Sequence, residues 1–273
     1  MQIPLLHVDA FTDRVFGGNP AAVCPLVDWP GDGLLQAIAA ENNLSETAFL
    51  APVPTPGRYR LRWFTPTREV DLCGHATLAA AHVVFTQLRP EVDEIGFETR
   101  SGVLTVRREE ELLCMELPAV PATLTDAPPN LVAALGGGAP LEAHAIAPLH
   151  GADYFMLVYA GRAQVQALAP TFAEMTANVV ATAANDPGAD DCDFVSRFFA
   201  PASGLDEDPA TGSTHCTLAP YWAAKLGKPA LVGRQLSARG ATLWCEPRGD
   251  RVLLRGRCVD YLSGMIHLPR PPL

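Results

Sequence analysis

Glu46 stands alone in an otherwise uncharged run, Asn43-Leu44-Ser45-Glu46-Thr47-Ala48-Phe49-Leu50. A carboxyl desolvated by such neighbours titrates higher than usual, which suits it to accept and return a proton near neutrality. The competing reading is a glutamate turned to solvent from an edge strand. Cys73 and His75 flank Gly74 in Asp71-Leu72-Cys73-Gly74-His75-Ala76-Thr77. A thiol at a helix start is a candidate thiolate, and His75 is either a proton carrier or a helix cap. Asp208 and Ser213 bracket a second glycine, Gly212, in Asp208-Pro209-Ala210-Thr211-Gly212-Ser213, and each could equally cap the helix that follows. The chemistry these residue types share is proton transfer beside a bound anion, with Glu46, Asp208, His75 and Cys73 as candidate bases. A symmetric two-thiol mechanism would need a cysteine just before Gly212, where Thr211 stands.

Two strand-to-helix junctions must position these groups. Tyr59, Leu61 and Trp63 alternate with Arg58, Arg60 and Arg62, the period of a strand with one buried face. Beyond Gly74, Leu78, Ala81, His82, Phe85 and Leu88 recur at helical spacing, with no charge between Thr77 and Arg89. Gly74 lets a ligand approach the backbone, and the N–H groups of the first helical turn favour an anion. The design recurs: Phe199-Ala200-Pro201 leads through an acidic run to Gly212 and an apolar segment ending near Leu226. Gly74 and Gly212 lie 138 positions apart, as do Gly102 and Gly240, each of which opens a similar strand. The shared offset argues for an internal duplication. Two such helix starts, each carrying roughly half a positive charge, could hold one small carboxylate and fix its neighbouring carbon against a base.

Composition bounds the rest. A chain of 273 residues predicts about two domains. Its 48% hydrophobic and 18% charged residues predict packed cores rather than disorder. A net charge of −10, with arginines scattered, argues against nucleic acid as a partner. No apolar run is long enough to span a membrane, and the N-terminus lacks the pattern of an export signal. Seven cysteines, an odd number without metal-binding spacing, read as reduced thiols of a cytoplasmic protein with neither disulfides nor a structural metal.

In chain order, strands are expected over 3–11 and 21–26, around the turn Gly17-Gly18-Asn19-Pro20, and a helix over 34–42. A hairpin joins 102–107 to 112–117. The stretch 118–138, rich in Pro, Ala and Gly, reads as a linker with a short helix at 131–135. Helices at 163–168 and around 172–179, a strand over 192–199 and closing strands over 251–255 and 257–268 complete the second half. Pro220, inside the expected second long helix, predicts a lost hydrogen bond and a kink. The loops at 13–16, 150–154 and 186–193 are expected to select the substrate.

Five motifs now combine: Asp9-Ala10-Phe11-Thr12, Gly18-Asn19-Pro20-Ala21-Ala22-Val23, Asn43-Leu44-Ser45-Glu46-Thr47-Ala48-Phe49, Cys73-Gly74-His75-Ala76-Thr77 and Asp208-Pro209-Ala210-Thr211-Gly212-Ser213. In order, and across nearly the whole chain, they resemble the PhzF-like family of phenazine-biosynthesis isomerases, relatives of diaminopimelate epimerase. The resemblance implies an α/β (α+β) fold of two pseudo-symmetric diaminopimelate-epimerase-like domains, each a curved sheet around a central helix, with the active site between them. The expected bounds are 1–120 for the N-terminal domain, 121–138 for the linker and 139–273 for the C-terminal domain. The resemblance further implies a homodimer, no cofactor and a small carboxylate or amino-acid-like substrate. In phenazine-pathway members a carboxylate base moves a proton along a dihydroxyanthranilate-type substrate. By motif, Glu46 becomes the general acid/base, while Asp208, His75 and Ser213 contact the substrate and assist proton relay. Gly74 and Gly212 would offer backbone N–H groups to its carboxylate, with Asn19 as a further contact. Cys73 is reminiscent of the thiol in the epimerase branch, whereas Thr211 follows the non-thiol pattern. The expected activity is therefore a cofactor-independent isomerase. The alternatives are an epimerase, racemase or dehydratase using Cys73, and a metabolite-binding protein without chemistry.

Overall fold

The computed structural model describes residues 1–149, 151–186, 188 and 191–268. The chain divides into two units, Met1–Glu116 with the segment from Arg255, and Leu117–Leu254.

The first unit is built from β1 (Gln2–Ala10), β2 (Asn19–Pro25), β3 (Glu46–Pro52), β4 (Arg58–Phe64), the two-residue β5 (Glu69–Val70), β6 (Glu94–Thr99), β7 (Gly102–Glu109) and β8 (Leu112–Pro118). Alternation works as expected in β4, where Tyr59, Leu61 and Trp63 are buried and Arg60 is exposed. Arg62 breaks the pattern by being nearly buried, which a guanidinium tolerates only when paired. Its Nε and Nη2 fork onto Glu69 at 2.7 and 2.8 Å, and Nη1 reaches Asp32 at 2.7 Å. The strands pair in the order β1, β2, β3, β4, β6, β7, β8, with β2–β3 and β4–β6 parallel. Parallel pairs need crossovers. The first carries helix α1 (Asp32–Asn42), ended by Asn43 in the left-handed region. The second carries α2 (Gly74–Val83), which continues into a five-residue π-helical turn, Val84–Leu88. Without a charged residue, α2 is buried along nearly its whole length and packs on β1, β2 and β3. A helix apolar all round belongs inside a fold.

The second unit repeats this order with β9 (Ala122–Thr125), α3 (Pro129–Leu135), β10 (Glu142–Leu149), β11 (Ala152–Val158), α4 (Arg162–Ala167), β12 (Asn178–Ala184), β13 (Phe194–Ala200), β14 (Leu205–Asp208), α5 (Gly212–Leu226), β15 (Leu231–Gln235), β16 (Ala241–Arg248) and β17 (Arg251–Gly256). Strands pair as β9, β10, β11, β12, β13, β15, β16, with β11–β12 and β13–β15 parallel and bridged by α4 and α5. Alternate residues of β12 feed the two faces. Val179, Ala181 and Ala183 pack with α3 and α4, while Val180 packs with Leu218 and Trp222 of α5. Helix-bearing crossovers thus follow β2 and β4 in the first unit and β11 and β13 in the second, each bridging a parallel pair. The fold is mixed α/β, each unit setting its strands against one largely buried helix, α2 or α5, as the resemblance implied.

Three details differ from expectation. The closing strand, β18 (Cys258–His267), pairs antiparallel along β1, so the C-terminal segment belongs to the first unit rather than to a domain reaching 273. The stretch expected as a linker holds β9, paired to β10, and α3, whose Leu131, Ala134 and Leu135 are core residues. The helix expected around 172–179 is one 3-10 turn, Phe172–Glu174, followed by β12, because Val179 and Val180 serve opposite faces of a sheet. Pro220, as expected, costs α5 one internal hydrogen bond, and the helix runs on to Leu226. The carbonyl that the proline leaves without an N–H, that of Cys216, accepts the Val120 N–H at 3.1 Å instead.

Candidate functional site

In the first unit, three backbone features bring five of the expected residues together. Glu46 opens β3 beside Ala21 of the parallel strand β2, and Asn19 opens β2. Cys73 is the N-cap of α2, Gly74 its first residue, and His75 follows. His75 Nε2 lies 3.2 Å from Glu46 Oε2. On the other side of the ring, Asn19 Nδ2 lies 3.2 Å and Cys73 Sγ 3.6 Å from Nδ1. Asn19 is wholly buried, His75 and Cys73 nearly so, and the Glu46 side chain keeps 18% exposure. Burial pushes the His75 imidazole down to about 3, so the ring is neutral at pH 7. With the Asn19 amide donating to Nδ1, the ring proton is assigned to Nε2, which stands 3.2 Å from Glu46 Oε2 without the alignment of a hydrogen bond. No side chain caps α2, which leaves its first-turn N–H groups suited to an anion. The metal-ligating atoms of Glu46, Cys73 and His75 lie within 4.8 Å of one another, so this trio could also hold a cation.

In the second unit, Asp208 ends β14, Thr211 is the N-cap of α5, and Gly212 and Ser213 form its first turn. Asp208, Thr211 and Gly212 are buried and Ser213 is exposed. The Thr211 hydroxyl donates to Asp208 Oδ2. No side chain caps α5 either. What fixes the connecting loop is a residue the sequence reading passed over. Gln235, fully buried at the end of β15, accepts the Thr211 N–H at 2.8 Å, and its Nε2 donates to the Asp208 carbonyl at 2.7 Å and the Thr211 hydroxyl at 3.2 Å. A signal for it existed: Leu231, Gly233 and Gln235 form the buried face of a strand, and an amide in that row needs partners. Gln235→Leu removes these three hydrogen bonds and is expected to cost about 2–4 kcal/mol in urea unfolding. An unchanged midpoint would show that the loop holds itself.

His215, one turn into α5, is also fully buried, and its Nδ1 donates to the Thr211 carbonyl at 2.8 Å. Burial pushes this imidazole down to about 4 against about 6.5 in an unfolded chain. The unfolded state therefore binds more protons between those values. The stability this neutral ring contributes is complete above pH 6.5 and is lost as pH falls towards 4, by about 3 kcal/mol. Urea midpoints measured across that range should fall steeply for the native chain and less steeply for His215→Gln. Cys216 is core, its thiol pushed up to about 12 by burial.

The three loops expected to select the substrate fare unequally. Phe16 is exposed and its N–H binds the buried Asp9 carboxylate at 2.9 Å. Tyr154 is not in a loop but in β11, buried against Phe198. Residues 150, 187, 189 and 190 lie outside the described residues.

Comparison with known proteins extends this picture. Residues 8–263 match the family described as phenazine biosynthesis-like protein. An uncharacterized isomerase of Pseudomonas aeruginosa is 47% identical over 268 residues, covering 98% of this chain and 100% of the relative. The solved structure of a PhzF-family phenazine biosynthesis protein from Enterococcus faecalis superposes with a TM-score of 0.90 at 38% identity, covering 98% of this chain and 100% of that one. A hydroxyproline epimerase from Agrobacterium vitis shares the fold alone, with a TM-score of 0.59 at 13% identity over 99% of this chain and 94% of that one. Five motifs in order, a family match over residues 8–263 and 47% identity to a relative across nearly the whole chain agree: the chain belongs to the phenazine biosynthesis-like (PhzF) family.

Proposed function

We propose that this chain is a cofactor-independent isomerase that moves a proton on a small carboxylate or amino-acid-like substrate, with Glu46 as the carrier. The observation that supports it most is the 3.2 Å approach of a neutral, buried His75 to a partly exposed Glu46 carboxylate at the uncapped start of α2. The first-turn N–H groups at Gly74 bind the substrate carboxylate. Glu46 removes a proton from an activated carbon, and the C–H electron pair spreads into the adjoining unsaturated system. The protonated Glu46 then returns the same proton to another carbon of that system, so no group is gained or lost. A small rotation of either side chain lets His75 Nε2–H donate to the Glu46 carboxylate 3.2 Å away, and Asn19 holds the ring in that tautomer. Asp208, Ser213 and Gly212 serve the same reaction by contacting the substrate.

The approach of Cys73 Sγ to His75 Nδ1 favours a second reading, in which the thiol carries the proton in an epimerase, racemase or dehydratase. A metabolite-binding protein that keeps the anion site without chemistry would exchange no protons. Small carboxylic and amino acids screened by thermal shift, with each hit incubated in deuterium oxide, test all three. Deuterium entering an activated carbon of a bound acid is the expected result, and stabilisation without exchange would leave only the binding reading. The same proposal includes a homodimer, a cytoplasmic location and no nucleic-acid or membrane partner; light scattering gives the first directly.

A further inference from the structure

Glu46, Cys73 and His75 join a carboxylate, a thiol and an imidazole in one buried corner of the first unit, and their ligating atoms all lie within 4.8 Å. Cysteine, histidine and carboxylate are the donors that zinc prefers, and three protein donors leave the fourth tetrahedral position to water. The spacing agrees with that geometry. At bonds of about 2.0–2.2 Å, tetrahedral nitrogen and oxygen ligands stand roughly 3.3 Å apart, and His75 Nε2 stands 3.2 Å from Glu46 Oε2. A metal on Nε2 needs the proton on Nδ1, and a zinc-bound histidine normally gives that proton to an oxygen. Asn19 is placed for this: its Nδ2 lies 3.2 Å from Nδ1, and turning the buried amide over would present Oδ1 there instead. Cys73 Sγ stands 3.6 Å from Nδ1, on the other side of the ring, and joins the set only once its side chain turns towards Nε2.

We infer that Glu46, Cys73 and His75 form a binding site for a borderline-soft divalent cation of the zinc class, a reversible stop on whatever chemistry Glu46 performs. Binding breaks the Cys73 S–H bond, forms a metal–sulfur bond and releases one proton to solvent, with no change of oxidation state. Affinity therefore rises with pH. The inhibition, though not the binding, rests on the proton-transfer role of Glu46 proposed above.

Two measurements on the full chain test the site. Calorimetry with Zn2+, repeated in buffers of different ionisation heat, should give one site and release of a proton. Cd2+ should produce the ultraviolet charge-transfer band of a cadmium thiolate. Cys73→Ser should abolish the band, and Cys73→Ser and Glu46→Gln should each weaken Zn2+ binding at least about 100-fold, as loss of a ligand does. No thiolate band in the native chain, or Zn2+ affinity retained in a folded double variant, would overturn the inference, because the metal would then sit elsewhere. Binding at this site without loss of turnover would uphold the cation site, overturn its role as a stop, and remove Glu46 from the reaction.

Discussion

Glu46→Gln is expected to lower turnover of a cognate substrate by about 10²–10⁴-fold, the range that positioned proton transfer contributes. The amide matches the carboxylate in shape and keeps an oxygen for the His75 Nε2–H, 3.2 Å away in the native pair. It cannot hold a transferable proton. Stability and ligand-induced thermal shift should therefore persist while deuterium exchange into the substrate disappears. Cys73→Ser, assayed beside it, should keep most of the activity if Glu46 is the carrier. The opposite pattern, a near-active Glu46→Gln and a dead Cys73→Ser, would transfer the role to the thiol and make the epimerase-type reading the correct one.

Gly18→Ala is expected to cost about 3 kcal/mol or more, among the largest single-residue effects on stability available in the first unit. Gly18 adopts φ +58°, and a Cβ built there would lie 2.0 Å from the Ala10 carbonyl oxygen. The obstacle is backbone of β1 rather than the end of a flexible side chain, so the strand pair β1–β2 must separate to relieve it. Register then suffers at Asn19, the next residue, paired with Ala10 and touching His75. Thermal unfolding should show a clear fall in midpoint, and any residual activity should fall with it. Unchanged midpoints would mean that the turn Gly17-Gly18-Asn19-Pro20 can be rebuilt at little cost.

These two positions also separate what is written locally from what is not. The periods were legible: alternation in β4, helical spacing in α2, and glycine at each strand-to-helix junction depend on neighbours within a few residues. The 138-residue offset was legible for the same reason, and the two units do share one order of strands and crossovers. Composition could not say that β18 returns to β1, since a strand carries no mark of the partner it finds across more than 240 residues. Nor could propensity place 118–138, where Pro, Ala and Gly look like a linker until Leu131 and Leu135 are seen filling a core.

The sequence by itself determined the kinds of group available: a carboxylate in an apolar frame, a thiol and an imidazole around one glycine, and an acid and a hydroxyl around its counterpart. Tertiary structure decided what those groups do to one another. Glu46 and His75 are 29 residues apart in the chain and 3.2 Å apart in space because β3 enters beside β2 while α2 starts across the same strands. Burial then made His75 neutral, and Asn19 assigned its proton to the side facing Glu46. Pairwise distance and desolvation are properties of the packed chain, which is why residue types could be read in advance and their ionisation could not.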